Sequence, residues 1–212
     1  GTNGIKPNAA LVNEPVTFGS INPKGGTGSG WKPDVPVANS VDMEFDPSMG
    51  TYIDPGTGAV TLYVAYVAWH NRTPYGVRWE GRIARSTNRG ATWSGWWDFW
   101  WMGAWSIRSP SLAVNAYNNT VFVATESYPM PVGNYDIDVW RFTSASWEIH
   151  SVDTADNNRF PSLTIEYSWS TNYLFVSYEK VTTWDDEDLY VARSTNWGIT
   201  WTTQLLRGGA GD

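Results

Sequence analysis

Side chains able to do chemistry are plentiful in this chain, but few of them stand in a pattern. Asp42 and Glu44, Glu126, Asp136 and Asp138, Glu166 and Glu179 are carboxylates of the kind that glycoside hydrolysis needs. That reaction sets two carboxyl groups roughly 5–10 Å apart across a sugar. Most of these residues fall on alternate positions of strand-like runs or in loops, where a solvated or turn-capping carboxylate is the simpler role. No pair stands out. The densest acidic run, Asp185-Asp186-Glu187-Asp188, is the place where a hard cation such as calcium would bind, because such ions prefer oxygen-rich loops. Asp136 and Asp138 stand at the corresponding loop-to-strand junction upstream, and Glu80 at the one before. The run lacks the spacing of an EF-hand, so calcium is the one cofactor to test and none is certain. His70 and His150 are the only histidines and lack metal-ligand spacing. There is no cysteine and no Gly-x-Ser-x-Gly elbow. The glycine-rich run Gly25–Gly30 has no Gly-Lys-Ser/Thr ending, so it reads as a linker and not as a phosphate cradle.

Two further residue types carry more information. Arg108 and Arg159 each stand two residues ahead of a proline, at Pro110 and Pro161, and Arg85, Arg141 and Arg193 recur at equivalent places before a turn. Catalytic residues rarely obey a repeat, so all five read first as repeat positions. The stretch Trp93 to Trp105 holds Trp93, Trp96, Trp97, Trp100, Trp101 and Trp105 with Phe99. One strand and its exit loop cannot bury all of those rings. Outward rings would stack on sugars or form a protein interface.

The elements that must position these residues are strands. Short runs of alternating apolar residues are punctuated by Gly, Asn, Asp and Pro, and no convincing helix follows Gly30. The runs repeat. A proline-started strand occurs at Arg108–Val114 and Arg159–Ile165, with a degraded version at Lys32–Val37. An aromatic-rich strand follows at Thr61–Tyr66, Thr120–Ala124 and Tyr173–Tyr178. A third strand covers Gly81–Arg85, Ile137–Arg141 and Leu189–Arg193, and a fourth begins near Trp93, Trp147 and Trp201. Four antiparallel strands in a unit of roughly 50 residues is the arithmetic of a propeller blade. The expected organisation is an N-terminal extension with a Gly-rich linker, 1–30, followed by blades over 31–212, at about 31–103, 104–153 and 154–207. Inserts are expected in the first blade at Asp46–Gly58 and His70–Trp79. The fold class is therefore all-β, with three to four blades in a partial or assembly-completed propeller.

The turn between third and fourth strands reads Ser86-x-Asn88-x-Gly90-x-Thr92-Trp93 in the first unit and Ser194-x-Asn196-x-Gly198-x-Thr200-Trp201 in the third. Thr143–Trp147 is a shortened remnant. Serine and asparagine side chains can close such a turn on its own backbone, glycine supplies a positive φ, and tryptophan fills the wedge below. These turns resemble the Asp box, the S-x-D-x-G-x-T-W hairpin of the sialidase-like (BNR-repeat) β-propellers, with Asn in place of Asp. The resemblance covers roughly residues 31–207. It implies a propeller, but in that family the hairpin is a folding device, shared by sialidases, sorting receptors and non-catalytic modules. A sialidase-like site would need three arginines on a carboxylate, a Tyr–Glu nucleophile pair and an acid/base Asp. Arg108 and Arg159 stand near the place of such arginines, but the family's Phe-Arg-Ile-Pro start is not matched.

Composition narrows the function classes. A net charge of −7 argues against nucleic acid. No apolar run is long enough to span a membrane as a helix. Gly1 in place of Met predicts a processed chain with its leader removed, and Asn71-Arg72-Thr73 and Asn118-Asn119-Thr120 match the N-glycosylation pattern. The resulting expectation is a secreted or cell-surface, non-catalytic propeller module acting in binding or extracellular assembly. Its partners would be another chain or further blades of the same precursor, and glycans. The alternatives are a segment of a sialidase-like glycoside hydrolase and a lectin-like propeller. The residues expected at a ligand site or interface are Trp96, Trp97, Trp100, Trp101, Trp105, Arg108 and Arg159.

Overall fold

The alternation of apolar and polar residues is realised as twelve strands in two sheets, with no helix among the described residues. A computed structural model describes residues 35–38, 42–72, 76–99, 104–129, 133–167, 172–183 and 186–207. All of these belong to one compact unit, Val35–Asp212. The strands form three successive antiparallel meanders. The first is β1 (Met43–Ile53), β2 (Val60–Arg72), β3 (Gly76–Ser86) and β4 (Ser94–Phe99). The second is β5 (Ala104–Val114), β6 (Val121–Pro129), β7 (Asp136–Phe142) and β8 (Trp147–Asp153). The third is β9 (Asn157–Tyr167), β10 (Asn172–Thr183), β11 (Asp186–Ser194) and β12 (Thr202–Arg207). A single parallel bridge, Trp79 to Ser106, joins the first two into one eight-stranded sheet. The third stands as a four-stranded sheet.

Each meander opens on the same irregularity. The ladder slips between Phe45 and Ser48 in β1, between Arg108 and Ser111 in β5, and opposite Ser177–Glu179 in β9. At each slip the residue before the proline has a left-handed backbone: Asp46 at φ 51°, Ser109 at 49° and Phe160 at 51°. Proline donates no hydrogen bond, so it loses nothing where the ladder is interrupted. This places the first unit's proline strand at Met43–Ile53 around Pro47, within the stretch Asp46–Gly58 expected to be an insert. In the degraded match upstream, Lys32, Pro33 and Asp34 lie outside the described residues.

The core lies between successive meanders. Strand alternation gives each meander a forward face toward the next and a backward face toward the previous one. Tyr63, Ala65, Ile83 and Phe99 of the first pack against Leu112, Val121, Val123, Trp140 and Phe142 of the second. Phe122, Ala124, Ile137 and Val139 of the second pack against Leu163, Leu174, Val176 and Ala192 of the third. Gly81 is required at the first junction, because a Cβ there would overlap the Phe99 ring.

Candidate ligand-binding rim

The bulge residues and the starts of the third strands gather at one rim. Phe45, Arg108 and Arg159 occupy the same bulge position, two before the proline. Trp79 and Tyr135 occupy the same position two residues before Gly81 and Ile137. The structure lays them in a row. Phe45 meets Trp79 at 5.2 Å between ring centroids. The Arg108 guanidinium stands 5.2 Å from the Trp79 ring and 6.0 Å from the Tyr135 ring. Arg159 stands 5.7 Å from the Tyr135 ring. Tyr128 packs on Tyr135 at 5.1 Å.

Tyr135 is held near the two arginines by backbone bonds. Its N–H donates to Asn157 Oδ1 at 3.2 Å, and its carbonyl accepts the Asn158 N–H at 2.8 Å. Asn158 is itself fixed, because its amide donates to Ala155 O at 2.8 Å and Asp153 O at 3.3 Å. Arg108 is exposed and Arg159 half-buried, and among the described residues the ion pairs of this chain involve other cations. The rim thus presents two guanidinium groups near one aromatic ring, an arrangement suited to a planar anion beside a ring.

Carboxylates lie close below. Glu126 is buried and its Oε1 accepts the Phe160 N–H at 2.8 Å, fastening the second meander to the bulge of the third. Asp138 is buried and accepts the Ser151 hydroxyl at 2.7 Å. Burial holds its carboxyl above the usual range, and hydrogen bonds from Ser151 and Ser127 partly offset the rise. Burial, with the charges of Asp138 and Asp153 adding, pushes the Asp136 carboxyl up to about 6. Asp153 accepts the Tyr178 hydroxyl at 2.8 Å and Lys180 Nζ at 3.2 Å. Burial and that carboxylate together hold the Tyr178 phenol well above its ordinary value. Glu126 pairs with Ile137 and Ser127 with Asp136 across β6–β7, so Glu126 and Asp136 point to opposite faces of the sheet. They do not form the facing pair that glycoside hydrolysis uses.

The other expected residues are placed as follows. Both hairpins close on themselves. Ser86 Oγ accepts Gly90 N–H at 2.9 Å, Asn88 Oδ1 accepts Thr92 N–H at 2.9 Å, and Asn88 Nδ2 donates to Thr92 Oγ1 at 2.7 Å. Ser194, Asn196, Gly198 and Thr200 repeat the set at 2.9 Å each. Gly90 and Gly198 have φ of 83° and 82°. Trp93 packs beneath the first meander, and Trp201 packs at the second junction with its indole donating to Gly198 O at 2.9 Å. Trp96 and Trp97 are half-buried and pack into the first junction against Tyr63 and Phe142. Trp100 and Trp101 lie outside the described residues, and Trp105 is in β5. Among the described residues no three His, Asp or Glu side chains converge to hold a metal. Asp185 lies outside them, Asp186 opens β11, Glu187 is exposed and Asp188 half-buried. Asp42 is bound to Arg82 at 2.9 Å, Arg141 to Glu148 at 2.7 Å, and Arg193 lies over Tyr173 at 4.6 Å. Trp79, Tyr135 and Glu126's backbone bond were not singled out from sequence. Aligning Asp46-Pro47-Ser48 with Ser109-Pro110-Ser111 and Phe160-Pro161-Ser162 would have exposed the row.

No helix among the described residues is long and apolar enough to cross a membrane. No family model matches the chain, and no curated protein matches it. Among solved structures it resembles a protein of unknown function from Dyadobacter fermentans DSM 18053, with a TM-score of 0.53 and 13% identity over 76% of this chain. The match covers 50% of that protein, so this chain spans about half its length. At that identity the likeness is one of fold.

Proposed function

We propose that this chain is an extracellular, non-catalytic binding module of the β-propeller type, related to the Asp-box proteins, whose rim takes an anionic glycan. Three like meanders packed in succession, and two hairpins with one hydrogen-bond set, support the propeller reading. The observation that carries the ligand is the row Phe45–Trp79–Arg108–Tyr135–Arg159. Aromatic rings stack on sugar faces, and two guanidinium groups near one ring offer donors to a carboxylate or sulfate. Calorimetric titration with sialyllactose, a heparin-derived tetrasaccharide and neutral lactose tests it. The acidic sugars are expected to bind with salt-sensitive affinity, and Arg159→Ala is expected to weaken binding about tenfold or more. Equal binding of lactose, or no binding of any of the three, would sink this reading.

One observation favours a second reading, a segment of a sialidase-like glycoside hydrolase. Asp136 keeps its proton to about pH 6, as a general acid would. Release of fluorophore from an aryl sialoside, abolished by Asp136→Asn, would put that reading first.

A further inference from the structure

Both junctions are fastened by the same bond. Ser48 Oγ, just after Pro47, accepts the Leu112 N–H of the second meander at 2.9 Å. Ser111 Oγ, just after Pro110, accepts the Leu163 N–H of the third at 2.9 Å. Each serine therefore holds the backbone two residues past the next meander's proline. The pattern leaves one acceptor and one donor over. Ser162, just after Pro161, is exposed. Met49, two residues past Pro47, stands where Leu112 and Leu163 stand, yet it is 63% exposed against 7% for each of them.

The forward face behind Ser162 is open as well, whereas the first meander's backward residues Val64, Tyr66, Ala68 and Ala84 are buried against Val37, Ala38 and Trp93. Leu189 on the forward face of the third meander is 41% exposed, whereas its counterpart Ile137 is fully buried. Phe175 and Val191 beside it are half-buried, where Phe122 and Val139 are buried. The backward face of the first meander carries an apolar groove of about 290 Å³ lined by Val37, Ala38, Phe45, Val64 and Tyr66, among others.

We propose that a second copy of this chain docks on the third meander, with Ser162 accepting the N–H of Met49 of the partner subunit and Leu189, Phe175 and Val191 seated on the groove. The inference rests on the propeller reading. Among the described residues, what covers a forward face is the backward face of a like meander, and on the first meander's backward side an apolar groove and the exposed Met49 remain. Such a contact is heterologous and closes when the rotation per unit allows it. Two copies supply six meanders, within the usual range of 4–8 for a propeller ring. The structure of similar fold is about twice the matched length, which fits a ring larger than three meanders.

Sedimentation equilibrium tests this on the whole chain. The expected mass is twice 23.7 kDa. Leu189→Arg puts a charge into the contact and is expected to weaken the dimer on the order of 100-fold or more. Ser162→Ala removes one hydrogen bond and is expected to weaken it about tenfold. Both variants should keep the wild-type tryptophan fluorescence and melting profile, because the residues lie outside the junctions inside the chain. A wild-type mass of 23.7 kDa throughout the micromolar range overturns the proposal. So does a dimer indifferent to both substitutions, or an open series of larger assemblies. Arg108, Tyr135 and Arg159 lie within one copy, so the glycan titration stands or falls separately.

Discussion

Between the first and second meanders the space is filled by rings: Tyr63, Phe99, Trp140 and Phe142, with Trp96 and Trp97 against them. Phe99 sits 5.0 Å from Trp140 and 5.1 Å from Phe142. Between the second and third the filling is mostly aliphatic, with Ile137, Val139, Leu163, Leu174 and Val176 around Phe122. Polar groups also sit at the rim end of that second junction, where Glu126 and Asp153 accept hydrogen bonds, while Asp138 does so on the opposite face, toward the first meander. The backbone fastening is the same at both. The difference shows that the repeat conserves the strand path and the serine bond while leaving the side-chain filling free. Ionisable groups are therefore admitted on either face of the second meander without changing the frame.

The filling is where the two junctions differ most in energy. Trp140 is fully buried and its indole donates to Thr125 Oγ1 at 3.0 Å. Trp140→Ala removes a large ring and leaves a hydroxyl behind, and is expected to cost about 4 kcal/mol. Leu174, fully buried in the second junction, removes fewer contacts, and Leu174→Ala is expected to cost about 3 kcal/mol. Urea unfolding at constant slope measures both. A larger loss at Leu174 would mean that the aliphatic junction holds the chain together and the aromatic one is slack.

How much of this could be read beforehand depends on where the signal lies. The strands were legible because alternation has a period of two. The two hairpins were legible because serine, asparagine, glycine, threonine and tryptophan each have one job in that turn. The first meander's start was not legible. Asp46-Pro47 looks like a turn, and the step from Pro47 to Pro110 is longer than that from Pro110 to Pro161, so the shared bulge was hidden by spacing. The serine fastening was invisible for a different reason, since an exposed-type residue in a strand gives no hint that it reaches a neighbouring sheet. Arg108 and Arg159 were found by the repeat, but Trp79 and Tyr135 align only once the third strands are extended two residues upstream.

The shared fastening offers the next test of the comparison. Ser48→Ala and Ser111→Ala each leave a backbone N–H unpaired, at Leu112 and at Leu163. Both are 7% exposed, so water cannot fully replace the lost acceptor. Each substitution is expected to cost about 1–2 kcal/mol, by the same amount within error. A loss confined to one of them would show that only that junction depends on the bond.

The smallest expected effect isolates the polar end of the second meander. The Asp136 carboxyl, at about 6 in the folded chain, lies above its ordinary 3.8. A raised carboxyl favours the protonated form in the folded state, so its contribution to stability is whole below about pH 4 and is lost as pH rises through 6. Asp136→Asn keeps the shape and removes the charge. The variant is expected to match the wild type near pH 4 and to exceed it at pH 8 by on the order of 1 kcal/mol or less, because solvent screens this half-buried group. Thermal melts at the two pH values read the difference. A gap of the same size at both pH values would mean that Asp136 acts through packing, and that its charge costs the second meander nothing.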